Sequence, residues 1–183
     1  PVRADAKKTF AYFEEQGVAI KVISGDSPVT VARVAQEAGI AHSDRVIDAS
    51  RLRTEAELAQ AAEKYTVFGR VTPAQKQTLI RALKAAGNTV AMTGDGVNDV
   101  LALKDADCSV AMASGSEAAA QASQLVLLDS NFSCMTSVIA EGRRVVNNIE
   151  RSASLFLVKN IFSLLLSLFS AIFMITYPLE PAQ

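Results

Sequence analysis

The sequence predicts an α/β domain, a parallel sheet with flanking helices, continued by one long apolar helix. Three observations carry that expectation. Short apolar runs such as Val18-Ala19-Ile20-Lys21-Val22-Ile23 alternate with helical segments, a pattern that yields parallel strands joined by right-handed crossovers. Pro28 and Gly39 bracket a helix in the Pro-in, Gly-out sense. Finally, Leu155 to Tyr177 is a run of 23 residues in which only Lys159 and Asn160 are strongly polar.

Each element follows in order. Ala4 to Gln16 reads as a helix stopped by Gly17, and Val18 to Ile23 as a strand. Pro28 opens a helix to about Ala38, and a short strand lies near Val46-Ile47. A helix within Thr54 to Lys64 precedes the strand Thr66-Val67-Phe68. Thr72-Pro73 opens the next helix, which runs to Ala86 before Gly87-Asn88. Apolar runs near Val90, Val110 and Val126 alternate with short helices near Leu101 and Ala119. No repeat or low-complexity tract interrupts the series.

The chain has 183 residues, 18 Lys+Arg against 19 Asp+Glu, and a net charge of -1. It therefore lacks the basic footprint of a nucleic-acid binder. Cys108 and Cys134 are isolated; they fit neither a disulfide framework nor a metal-ligand spacing, and read as two reduced thiols.

The most informative stretch is Thr93-Gly94-Asp95-Gly96-Val97-Asn98-Asp99, between the strand-like Thr89 to Met92 and the helix-like Val100 to Lys104. Open α/β sheets bind ligands at the carboxyl edge of their strands. A helix beginning near Asn98 can bring Asp95 and Asp99 toward one point, and Mg²⁺ is commonly held by one or two carboxylates plus phosphate oxygens. A Gly-rich turn with an Asp or Asn cap accounts for the same residues without a ligand. Ser24-Gly25-Asp26 ends the first strand; a hydroxyl and the N–H groups around a Gly suit a phosphoryl oxygen there, though the tripeptide is equally a turn. Lys76 sits in the first turns of a helix, where a cation opposes the helix dipole unless the site holds a phosphate dianion for the ammonium to face. A solvated surface lysine is the ordinary alternative.

The apolar run from 155 to 177 is roughly 35 Å long as a helix, against a bilayer core of about 30 Å. Arg143, Arg144, Arg151 and Lys159 precede it or lie early in it, and only Glu180 follows. The positive-inside rule places the residues before about 150 in the cytoplasm. Lys159 is expected to snorkel to the cytoplasmic boundary. Domains are expected at 1–134 and 135–183, with Met135 to Tyr177 as one rod of roughly 60 Å. Asn160, Ser163, Ser167 and Ser170 share a helical face and suit either helix packing or an ion pathway. Both ends of the chain read as edges of a longer polypeptide.

Strand-borne Ser24, helix-borne Lys76, and Asp95 with Asp99 occur in the order of a haloacid-dehalogenase-like phosphotransferase, whose sheet is Rossmann-like. More specifically, the chain resembles the second half of the phosphorylation domain of a P-type cation-transporting ATPase, with its stalk and fifth transmembrane helix. The likeness rests on Ser24 to Thr30, Val71 to Lys76, Thr93 to Asp99, Ala102 to Asp107, Glu141 to Arg144 and Asn147-Asn148-Ile149. It implies that Asp95 and Asp99 bind Mg²⁺ with support from Asn98. Ser24 and Gly25 would hold phosphoryl oxygens, Asp26 would hold its loop near the nucleotide domain, and Lys76 would offset phosphoryl charge. ATP would be the substrate. The partners implied are the nucleotide-binding and actuator domains, the other membrane helices, the plasma-membrane bilayer and a transported cation.

The family's Asp-Lys-Thr-Gly-Thr motif, with its nucleophilic Asp, does not occur here. An inactive isolated chain is therefore expected. Val100-Leu101, where many members have Ala-Pro, and Ser24, where Thr is commoner, resemble a bacterial cation-pump branch. Ser163 stands where animal calcium pumps carry a carboxylate, which leaves the ion open, calcium included. Two other readings remain: a membrane-anchored phosphatase of the same superfamily with its nucleophile upstream, and a non-catalytic regulatory module that binds Mg²⁺.

Overall fold

In a computed structural model of the chain, residues 2–174 are described. The carboxyl end of the expected rod and membrane span, including Tyr177, lies outside them. The chain divides into two units, Pro1–Thr136 and Ser137–Gln183.

In the first unit the strands form two three-stranded parallel sheets. One sheet comprises β1 (Val22–Ile23), β2 (Val46–Asp48) and β3 (Val67–Gly69), in the order β1-β3-β2. The other comprises β4 (Ala91–Gly94), β5 (Cys108–Met112) and β6 (Leu125–Leu127), in that order. Among the described residues, β1 and β4 each pair on one side only.

The helices in chain order are α1 (Ala6–Glu15), α2 (Pro28–Glu37), α3 (Glu55–Lys64), α4 (Pro73–Ala85), α5 (Val100–Asp105), α6 (Glu117–Ala122) and α7 (Met135–Phe173). Side-chain caps fix several starts. The Ser27 hydroxyl accepts the Thr30 N–H, with Pro28 in the first turn of α2. Reciprocal capping boxes, Thr54 with Glu57 and Thr72 with Gln75, open α3 and α4.

The central strand β3 is buried throughout, as a parallel strand covered on both faces must be. Its successive side chains point opposite ways. Val67 joins Val31, Ala35 and Ile40 on the α2 side, whereas Phe68 joins Leu58, Ala61 and Leu79 on the α3–α4 side. Helix α4 spans the two sheets: Leu79 packs in the core of the first, and Ile80 packs with Val90, Met92 and Leu103 in the core of the second. Burying an aliphatic side chain of this size contributes about 1.5–3 kcal/mol, so α4 links the two cores through apolar contacts on both.

Two strands differ from expectation. Val18 to Lys21 do not pair, and the ladder begins where the Val22 N–H donates to the Thr66 carbonyl. Strand β4 runs two residues beyond Met92 because Thr93 and Gly94 continue the register with Val110 and Ala111. This extension places Asp95 directly at the strand's carboxyl end.

In the second unit, α7 is long and apolar enough to cross a membrane by length and composition. Its 39 residues extend about 58 Å. Leu155, Phe156, Leu164 and Phe173 lie among the large apolar side chains exposed along it.

Candidate active site

The first strand-to-helix turn is built on Ser24. The Asp26 N–H donates to the Ser24 hydroxyl oxygen at 3.2 Å, closing a tight turn around exposed Gly25. The Ser24 hydroxyl in turn lies 3.4 Å from Asp26 Oδ2. The turn is fastened from the neighbouring strand end: the Arg70 N–H donates to the Asp26 carbonyl at 2.7 Å, and the Val71 N–H to the Ser24 carbonyl at 3.0 Å. Val71 leads through Thr72 into α4, so the Ser24 loop and the helix that carries Lys76 are joined at adjacent residues. Gln75 locks that entry further, with its amide donating to the Ala49 carbonyl at 2.9 Å.

Lys76 faces Asp99. Its ammonium lies 2.6 Å from Asp99 Oδ1, and both side chains are nearly buried, 13% and 10% exposed. The anion that faces this lysine is thus a side chain of the protein itself, where the sequence suggested a phosphate dianion. The other oxygen, Oδ2, accepts the Gly96 N–H at 3.2 Å. Gly94 is required beneath it: a Cβ there would stand 2.6 Å from the Asp99 Cβ, a separation that real Cβ atoms do not reach.

Asp95 is exposed. Its backbone is clamped where its carbonyl accepts the Ser116 N–H at 2.7 Å. Gly115 lies so close that an added Cβ would meet the Asp95 carbonyl oxygen at 2.5 Å. The Asp95 carboxylate has no hydrogen bond or ion pair among the described residues, and neither has the exposed Asn98 side chain. The edge therefore presents one exposed carboxylate, one amide, one hydroxyl and a sheltered Lys–Asp pair. Among the described residues no group of three or more His, Cys, Asp or Glu gathers as a metal cage. Asp95 and Asn98 carry hard oxygen atoms of the kind that could hold Mg²⁺ with phosphate and water completing its shell.

Sequence reasoning missed Arg70 and the Gly115-Ser116 turn. Arg70 adopts a left-handed backbone with φ of 53°, and its guanidinium lies 2.8 Å from Asp48 Oδ2. The Ser50 hydroxyl bonded to Asp48, aided by its amide and by Arg70, holds that carboxyl below the usual range against partial desolvation. The signal for Gly115 was a further strand-to-helix junction, Met112 to Glu117, with a Ser cap. On α7, Asn160 is exposed and Ser163 is half-buried.

A parallel α/β domain with an ion-paired lysine and an exposed carboxylate at its carboxyl edge defines the class. The chain belongs to the haloacid dehalogenase-like hydrolases, whose family model matches residues 1–107. It is 51% identical over 167 residues to a probable cation-transporting ATPase, exp7, of Streptococcus pneumoniae, covering 91% of this chain and 21% of that protein. It is 54% identical over 168 residues to the calcium-transporting ATPase CtpE of Mycobacterium bovis, with the same coverage of 91% and 21%. A calcium-transporting ATPase of Bacillus subtilis is 35% identical over the whole chain, again 21% of that relative. The chain thus spans about a fifth of the length of the curated relatives it matches. Among solved structures, the catalytic domain of the CPx-ATPase CopB-B aligns with a TM-score of 0.58 at 26% identity, over 75% of this chain and 45% of that one.

Proposed function

We propose that this chain is the Mg²⁺- and phosphoryl-binding half of the phosphorylation domain of an ATP-driven cation pump, with the stalk and membrane helix that follow. The observation that carries this reading is the linkage of the Ser24 loop to Lys76 through Val71-Thr72, and of Lys76 to Asp99, across the carboxyl ends of the two sheets. The naming of relatives as cation-transporting ATPases supports it.

In this reading, Ser24 and the Gly25 amide hold non-transferring phosphoryl oxygens, and Asp26 keeps their loop closed. Asp95 and Asn98 hold Mg²⁺, with Asp99 completing the acidic pair. The ion, when bound, would offset the charge of the phosphate oxygens. Lys76 divides its charge between Asp99 and the phosphoryl group, which fixes its ammonium before the ligand arrives and lowers the reorganisation required. Both sheets have an open strand, β1 and β4, beside the residues of the site. A strand bearing the nucleophilic Asp, from elsewhere in the intact pump, would complete the site there. The isolated chain therefore does not turn over ATP. Helix α7 spans the plasma membrane with residues before about 150 in the cytoplasm, and Asn160 and Ser163 face the ion path. Nucleotide-binding and actuator domains and further membrane helices are its partners, and the cation is calcium or another metal ion.

The test is a phosphate-release assay on the full pump and on this chain. Turnover by the pump that falls at least 100-fold in Asp95→Asn, with none from the chain, is the expected result. Mg²⁺-dependent release by the chain alone would sink the assignment of a nucleophile outside it.

A further inference from the structure

We propose that a second cavity, at the amino-terminal end of β1, binds a phosphate-type oxyanion between Lys21 and Arg45. The cavity has a volume of about 360 Å³ and lies between the end of α1, the turn at Gly39 to His42 and the end of α3. Lys21 precedes β1, whereas Ser24 follows it. The two residues of β1 lie between them, and the three steps along the strand span roughly 10 Å, so this cavity is distinct from the Ser24–Lys76 edge.

Two cations, Lys21 and Arg45, line this cavity, and neither forms an ion pair among the described residues. The Lys21 ammonium donates to the Tyr65 carbonyl at 2.6 Å, leaving two of its three donors. Arg45 is anchored through its backbone carbonyl, which accepts the N–H groups of Thr66 and Val67 at 2.9 and 3.0 Å. Its guanidinium has no hydrogen bond or ion pair among the described residues. The remaining charged or titratable groups of the cavity are Glu14, Glu63, Lys64 and His42. Neither carboxylate comes within 4.0 Å of a lysine or arginine nitrogen, and Lys64 lies 5.6 Å over the Tyr65 ring. Burial, with the like charge of Arg45, pushes the Lys21 ammonium toward its neutral form, only partly opposed by Glu63. An oxyanion seated between the two would relieve both effects, with a planar guanidinium fork and a point charge as complementary donors.

The ligand chemistry is a phosphate group, free or on an anionic lipid, and the experiment separates these sources. The full chain in maltoside micelles is titrated with inorganic phosphate while backbone amide NMR shifts are followed. In parallel, shifts are compared between phosphatidylglycerol and phosphatidylcholine nanodiscs. Expected are shifts at Tyr65, Thr66 and His42 that weaken at least 10-fold in Arg45→Gln, an exposed position that leaves the fold intact. They also weaken in Lys21→Met and persist in Ser24→Ala, which removes a hydroxyl of the other edge without breaking the Lys76–Asp99 pair. A response to inorganic phosphate assigns a free anion; a response in phosphatidylglycerol discs alone assigns a lipid headgroup. Shifts confined to the Ser24–Lys76 edge, unchanged in Arg45→Gln, or absent in both arms overturn the proposal.

Discussion

The ammonium of Lys76 and the carboxylate of Asp99 form a 2.6 Å ion pair that is almost closed to water. This contact ties α4 to the turn after β4, and so ties the two sheets together at their functional edge. Removing one member of a sheltered pair leaves the other charge without its partner, which costs about 3–5 kcal/mol when burial is complete.

Lys76→Met is expected to destabilise the first unit by about 2–4 kcal/mol, and Asp99→Asn by a similar amount. The double variant should recover at least ~1 kcal/mol of their summed loss. Urea midpoints of the four proteins give the coupling directly. Additive losses would mean that the pair is not a stabilising unit.

The glycines under the acidic residues are expected to tolerate no side chain. Gly94→Ala drives a Cβ to 2.6 Å from Asp99 Cβ, and Gly115→Ala drives one to 2.5 Å from the Asp95 carbonyl. Each should cost about 1–3 kcal/mol through forced displacement. Gly142→Ala, with open space around the added atom, is the control and should be neutral or slightly stabilising. Thermal melts of the three variants check the order.

Acid should weaken the link between α4 and the start of β4. The Asp107 carboxylate accepts the Val90 N–H at 2.8 Å and a hydrogen bond from Lys84 at 2.9 Å, which hold it below the usual carboxyl range. A carboxyl depressed by folding favours the folded state above its unfolded value of about 3.9. That contribution is lost as pH falls through the lower, folded value. Asp107→Asn should therefore lower stability at neutral pH, and its deficit should shrink below about pH 4. An equal deficit at both ends of the range would remove Asp107 as the titrating group.

The turn that enters α7 is clasped to α1. Phe132 stacks on Phe13 with ring centroids 5.5 Å apart and lies 6.2 Å from Phe10. The Asn131 amide donates to the Asp5 carboxylate at 3.2 Å. Phe132→Ala should cost about 1–3 kcal/mol, less than a fully buried phenylalanine, and should raise amide exchange at Ser133 and Cys134. Exchange rates unchanged there would show that the clasp does not hold the turn.

Much of this was legible locally. The helix starts at Pro28, Thr54 and Thr72 were readable because a capping oxygen and a first-turn proline act within four residues of the backbone they satisfy. The alternation of elements sufficed for a parallel α/β domain because crossovers allow few topologies. Ser24, Lys76, Asp95 and Asp99 could be nominated because each sits at a strand end or a helix start.

Other features depended on groups far apart in the chain. The truncation of β1 to Val22–Ile23 follows from where Thr66 offers its carbonyl, and the extension of β4 from its register with β5. Arg70 and Gly115 reach the site only because the fold brings their backbones against Asp26 and Asp95.

Taken alone, the sequence determined the class of fold, the edge of the sheet that would carry chemistry, and the apolar helix, because these arise from periodicity and short-range capping. Only the tertiary structure decided that Lys76 spends its charge on Asp99, leaving Asp95 exposed, and that the strands divide into two sheets bridged by α4. Those outcomes depend on which distant groups come within hydrogen-bonding range, and a one-dimensional pattern does not encode distances across space.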